Sequence, residues 1–81
     1  PNSMAKIIET IERRYWLMGD LEKLFNRSGS AIRFYCKYFG IDPARSTNQY
    51  RRFTQKEVDK LANIMAYIKQ GYHLKAIKNK L

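Results

Sequence analysis

From Ser28 to Phe39 the apolar residues Ile32, Tyr35, Cys36 and Phe39 recur at the i, i+3, i+4, i+7 spacing of a helix with one buried side. Ser30, Arg33, Phe34 and Lys37 fall on the opposite side, which is therefore cationic, hydroxyl-bearing and aromatic. Ser28 is placed to cap this helix and Gly40 to end it. Upstream, Leu21, Leu24 and Phe25 mark the core side of a shorter helix over 20–26, and Asp20 and Glu22 favour its N-terminus through the dipole. Asn26-Arg27-Ser28-Gly29 between the two is turn chemistry.

The pattern changes after Gly40. Ile41-Asp42-Pro43 is extended, because a residue before proline is pushed out of the α region. Residues 45–53 read as a hairpin with Ser46-Thr47-Asn48-Gln49 at its tip and Tyr50-Arg51-Arg52-Phe53 as its return strand. Alternation sends Phe53 to the core and Arg52 to the opposite face. The tip has no glycine, and Asn48 is the best candidate for a left-handed position. Thr54-Gln55-Lys56-Glu57 is a capping box, with Phe53 and Val58 as its hydrophobic staple. Val58, Leu61, Ala62, Met65 and Ile68 then repeat at helical spacing until Gly71. A last helix over 73–81 turns Leu74, Ile77 and Leu81 inward and Lys75, Lys78 and Lys80 outward.

Two segments precede this series. Residues 1–3 read as a tag remnant, and residues 4–14 as an amphipathic helix carrying Ile7, Ile8 and Ile11 on one side. Tyr15 to Met18 is a short aromatic and apolar run suited to a strand, broken by Gly19. The expected fold is mainly α: a winged helix-turn-helix over residues 15–81, with a small two- or three-stranded β wing and an extra N-terminal helix.

Charge sharpens the picture. The 81 residues carry a formal charge of +9, which directs a small domain to polyanions, nucleic acid first. Residues 1–43 hold seven Lys/Arg against five Asp/Glu, and residues 44–81 hold nine against two, so the second half supplies most of the field. The single cysteine, Cys36, permits no disulfide and no cysteine metal site within one chain, and suits a reducing cytosol. No apolar run approaches the ~20 residues that span a bilayer. No nucleophile–base pair, carboxylate pair, glycine-rich phosphate loop or metal cluster is visible, which excludes the common enzyme classes; no cofactor is expected.

These residues resemble the MerR-type bacterial transcription regulators. Ile32-Arg33-Phe34-Tyr35 is similar to the Leu-Arg-Tyr-Tyr of that family. Arg45, then Gln49-Tyr50-Arg51-Arg52-Phe53-Thr54, resembles its wing, and Leu61, Ile64, Gly71, Leu74 and Ile77 its L…I…G-x-x-L-x-x-I pattern. Tyr15 to Asp20 is similar to its opening Tyr-x-Ile-Gly-Glu. The resemblance implies a DNA-binding domain whose second helix enters the major groove while the wing rests on the backbone. It puts Arg33, Phe34 and Tyr35 at DNA-facing positions and makes Arg51 the wing arginine. There are departures. Phe34 lacks a hydroxyl, Gln49 stands where the family has a glycine, and the chain ends at Leu81, where the family continues into a dimerisation helix and an effector domain. Either the protein is longer, or it is minimal, like the phage excisionases of the same fold.

The residues expected to meet double-stranded DNA are Ser28, Ser30, Arg33, Phe34, Tyr35, Lys37, Arg45, Asn48, Tyr50, Arg51 and Arg52. Arg33 suits base or phosphate contact and Lys37 phosphate contact. Charge on a helix is most often only solvated, and arginine on an edge strand often only blocks aggregation. Three arginines around one hairpin beside a cationic helix favour DNA. Cys36 and Trp16 read as core, and the lysines of the last helix as an exposed face. A homodimer, through the N-terminal helix or a helix beyond Leu81, is the other expected partner. Two rivals stand beside a bacterial regulator: an excisionase-like factor that bends DNA, and a protein- or membrane-interaction module built on the N-terminal helix and the last lysines.

Overall fold

A computed structural model describes residues 15–81; the helix expected over 4–14 lies outside the described residues. The order is α1 (Met18–Phe25), α2 (Gly29–Phe39), β1 (Ala44–Arg45), β2 (Arg51–Arg52), α3 (Gln55–Lys69) and α4 (Leu74–Lys80). The two short strands pair antiparallel, Ala44 with Arg52 and Arg45 with Arg51. This is the mainly helical winged helix-turn-helix expected from the pattern.

The opening strand is reduced to one bridge. Trp16 N–H donates to the Phe53 carbonyl at 2.7 Å, and Phe53 N–H to the Trp16 carbonyl at 2.8 Å. Pairing stops there because α1 begins at Met18, two residues before the predicted start. Asp20 reaches back with Oδ2 to accept the Leu17 N–H at 2.9 Å, satisfying a donor at the helix start. Gly19 therefore lies inside the first turn rather than ending a strand.

Three helices stop in the same way. Asn26 (φ 52°), Gly40 (φ 71°) and Gly71 (φ 94°) are left-handed. After each, the next amide turns back five residues: Arg27 to Glu22 at 3.2 Å, Ile41 to Cys36 at 2.8 Å and Tyr72 to Tyr67 at 3.1 Å. This closure satisfies carbonyls that the helix leaves open and usually carries an apolar contact. Ile41 supplies it by burial, and Tyr67 and Tyr72 by edge-to-face rings 5.5 Å apart. The starts are capped as predicted. Ser28 Oγ accepts from Ala31 N–H at 3.2 Å, while Thr54 and Glu57 exchange bonds of 3.2 and 2.9 Å.

The core takes residues from each helix and from the wing: Leu21, Ile32, Cys36, Phe39, Ile41, Phe53, Val58, Leu61, Ile64 and Ile77. Trp16 packs at its edge, half-buried, with its indole N–H on Gln55 Oε1 at 3.0 Å. Three predicted core positions face water. Leu24 is 51% exposed, because α1 docks through Met18, Leu21 and Phe25 on the other flank. Ala62 is exposed and Ile64 buried, since Ala62 lies roughly 100° round the helix from Leu61, at the stripe's centre. Leu81 is 49% exposed, one residue past the end of α4.

Phe53→Ala should lower stability by about 3–5 kcal/mol, the range for truncating a fully buried aromatic ring. Gly71→Ala should cost roughly 1–2 kcal/mol, because alanine resists the left-handed region. Urea titration checks both: the midpoint should fall in that order, with the slope unchanged for Gly71→Ala.

Candidate nucleic-acid interface

The buried side of α2 fixes how its other side is presented. Ile32, Cys36 and Phe39 anchor the helix, leaving Ser30, Arg33, Phe34 and Lys37 exposed. The Phe34 ring, 52% exposed, leans edge-on against half-buried Tyr35 at 5.5 Å and lies 6.2 Å from Tyr38. Arg33 folds toward the start of α2, where its Nη2 donates to Ser30 Oγ at 3.1 Å. Buried Gly29 leaves the room: a Cβ there would sit 2.5 Å from Glu22 Oε1 and 3.2 Å from Arg33 Nη1.

In the wing, Gln49 rather than Asn48 takes the left-handed conformation, with φ 69°. The reason is the turn. Gln49 N–H closes onto the Ser46 carbonyl at 2.9 Å and Ser46 N–H onto the Tyr50 carbonyl at 2.8 Å. A four-residue turn followed by strand pairing places the left-handed demand on its last residue. Arg45 Nη1 donates to the Gln49 carbonyl at 3.3 Å, within the hairpin. The Arg52 guanidinium lies 4.1 Å above the Tyr15 ring, a cation–π arrangement on the face away from Phe53. Tyr50, 68% exposed, stands at the tip.

One open groove of about 520 Å³ gathers much of the predicted chemistry. Ser30, Arg33, Phe34 and Lys37 line it from α2 and Arg51 from the wing, over a floor that includes Cys36, Ile41 and Pro43. Asp42 also enters it, the one acidic group among its lining residues. Arg51 is the ridge between this groove and a second hollow, lined by Tyr50, Lys23 and residues 17–20 at the start of α1. Asp42 and Lys23 were not singled out from the sequence, because they come near only when the wing folds against the helices. Burial pushes the Cys36 thiol above its ordinary range; Arg51 opposes that shift and Glu57 adds to it. The thiol therefore stays protonated and unreactive at neutral pH, as suits a core side chain.

The predicted residues thus divide. Ser30, Arg33, Phe34, Lys37 and Arg51 share the groove. Ser28 is occupied as a cap, Arg45 bonds within the turn and Arg52 lies on Tyr15. Tyr35 is half-buried, Tyr50 belongs to the second hollow, and Asn48 is exposed at the tip. Away from the groove, Lys78 and Lys80 lie over aromatic rings, 5.2 Å from Tyr38 and 4.8 Å from Tyr72. Among the described residues, no helix is long and apolar enough to cross a membrane.

A helix-turn-helix with a cationic second helix and an adjoining wing is a DNA-binding arrangement. A comparison with curated protein sequences gave no match. The family model described as MerR HTH family regulatory protein matches residues 17–81, from the start of α1 through α4. The chain therefore belongs to the MerR family of helix-turn-helix regulatory proteins, whose members bind DNA to regulate transcription.

Proposed function

We propose that this domain reads double-stranded DNA sequence-specifically, with α2 in the major groove and the wing on the flanking backbone. The observation that carries the reading is the shared groove: Arg33, Lys37 and Phe34 of α2 line it together with Arg51 of the wing. An α-helix with its side chains, ~10–12 Å across, fits a major groove ~12 Å wide. At 11 residues, α2 is about 16 Å long, enough to lie along that groove.

Division of labour follows from side-chain chemistry. Arg33 presents a planar fork that matches guanine O6 and N7. Lys37, a flexible point charge one turn further along, serves a phosphate. Phe34 offers an apolar ring suited to a thymine methyl group or a deoxyribose. Arg51 approaches from the wing and sets the register on the backbone. The domain acts as a dimer, two copies reading the halves of a near-palindromic site.

Arg33→Ala should weaken binding to the selected site roughly tenfold to a hundredfold, and binding to random duplex far less. Fluorescence anisotropy on both duplexes measures this; equal losses would remove Arg33 from base reading. Arg51→Ala should weaken all sequences alike and lower the slope of log K against log salt by about 0.9, the signature of one lost phosphate contact. Selection from a random duplex library tests the whole reading, which predicts a defined half-site in palindromic pairs. No enrichment would refute sequence reading, and enrichment of lone half-sites would refute the dimer.

A further inference from the structure

We infer that Arg45 is a positioning residue of the wing, which holds the Gln49–Tyr50 peptide in place so that Arg51 meets DNA pre-ordered, and is not itself a phosphate contact. The inference rests on the DNA-binding reading above and adds a division of labour among the wing arginines.

Two observations carry it. First, Gln49 is a non-glycine residue at φ 69°, a conformation that L side chains resist. Left to itself, such a turn relaxes toward other conformers and spreads the strands it joins. Second, both polar groups of the peptide that follows Gln49 are held by side chains across the hairpin, Arg45 at the end of β1 and Ser46 at the start of the turn. Its carbonyl accepts from Arg45 Nη1 at 3.3 Å, and its N–H, on Tyr50, donates to Ser46 Oγ at 3.2 Å. Leaving the left-handed state turns this peptide plane, so these two bonds grip the atoms that must move. Arg45 is also the direct cross-strand partner of Arg51. Two cationic side chains at paired positions repel, and engaging one with a carbonyl separates their tasks. Arg52 is likewise engaged locally, on Tyr15, which leaves Arg51 as the wing arginine that lines the groove.

A clamp and a phosphate contact leave different signatures. Losing a clamp makes the wing order itself on binding. Affinity falls, but the bound state keeps the same number of phosphate contacts, so the salt slope holds. Losing a phosphate contact lowers both. The strain also supplies a rescue, since glycine accepts the left-handed position freely and no longer needs the clamp.

The test compares the intact chain with Arg45→Ala, Gln49→Gly and the double variant, titrated with the selected duplex at several salt concentrations. Arg45→Ala should bind about fivefold more weakly, the worth of one ordinary hydrogen bond. Its slope should equal that of the unsubstituted chain. Gln49→Gly alone should bind at least as well as the unsubstituted chain, and the double variant should recover to within about twofold. A slope lowered by about 0.9 with no recovery would make Arg45 a phosphate contact and overturn the proposal. Amide hydrogen exchange of Tyr50 in the free protein is the independent arm. Arg45→Ala and Ser46→Ala should each speed it several-fold; unchanged exchange in Arg45→Ala overturns the clamp whatever DNA does. Should the unsubstituted chain bind no duplex, the DNA reading fails and this exchange measurement alone decides the clamp.

Discussion

The domain depends on how Phe53 is held. Its side chain is fully buried, and both its backbone polar groups pair with Trp16. The residue closes the wing, and the next one, Thr54, caps α3. A wing of two-residue strands cannot be stable alone, since isolated hairpins are marginal even at greater length. Phe53 supplies the missing stability by anchoring the return strand in the core, one residue after Arg52 and two after Arg51. Because alternation puts Arg51 and Phe53 on one face, anchoring the ring also turns the arginine toward α2. Placement of the wing cation is thus a consequence of core packing.

The cations themselves are sorted by what lies beside them. A formal charge of +9 would attract a polyanion to many faces. Arg45 is engaged by a turn carbonyl, Arg52 by Tyr15, and Lys78 and Lys80 by tyrosine rings. Exposed cation–π contacts contribute about 0.5–1 kcal/mol each, enough to bias a long side chain without neutralising it. The groove retains Arg33, Lys37 and Arg51. The rest of the charge still draws DNA in over a Debye length of about 10 Å at moderate salt. Attraction is therefore spread over the domain, while the proposed contact is concentrated in one place.

How much of this could be read in advance depended on the kind of signal. Helix starts and stops are local chemistry, and Ser28, Gly40, the Thr54–Glu57 box and Gly71 all act as their residue types suggest. Burial around a helix is a tertiary outcome. Leu24 and Ala62 sit at the margins of their stripes, and which margin is covered depends on where the neighbouring helix docks. The start of α1 differs from the sequence expectation because an apolar run before a glycine looks like a strand. The Asp20 carboxylate, three residues from Leu17, was the overlooked capping signal. Residue type favours Asn48 for the left-handed position, whereas the hydrogen-bond pattern of the turn places the demand one residue later, on Gln49. The groove has contributions from residues 30–51, and its cations were legible as a group. The local partners that set Arg45 and Arg52 apart became visible only in three dimensions.

Pre-ordering matters for a reader this small. An arginine side chain gives up roughly 2 kcal/mol of rotamer entropy when it is fixed, a large fraction of what one good base contact returns. Arg33 has met part of that cost before DNA arrives, because Ser30 Oγ already accepts from its guanidinium. The serine does not compete strongly afterwards. A neutral hydroxyl is a weaker partner than a phosphate, which brings its own charge and can be held by two parallel bonds. Ser30 can thus orient the arginine in the free protein and release it in the complex. Lys37 has no such guide among the described residues, and the phosphate role proposed for it needs none, because phosphate attraction falls off gently with direction. On the proposed reading, the same helix face therefore offers a restrained fork where geometry carries information and a flexible charge where it does not.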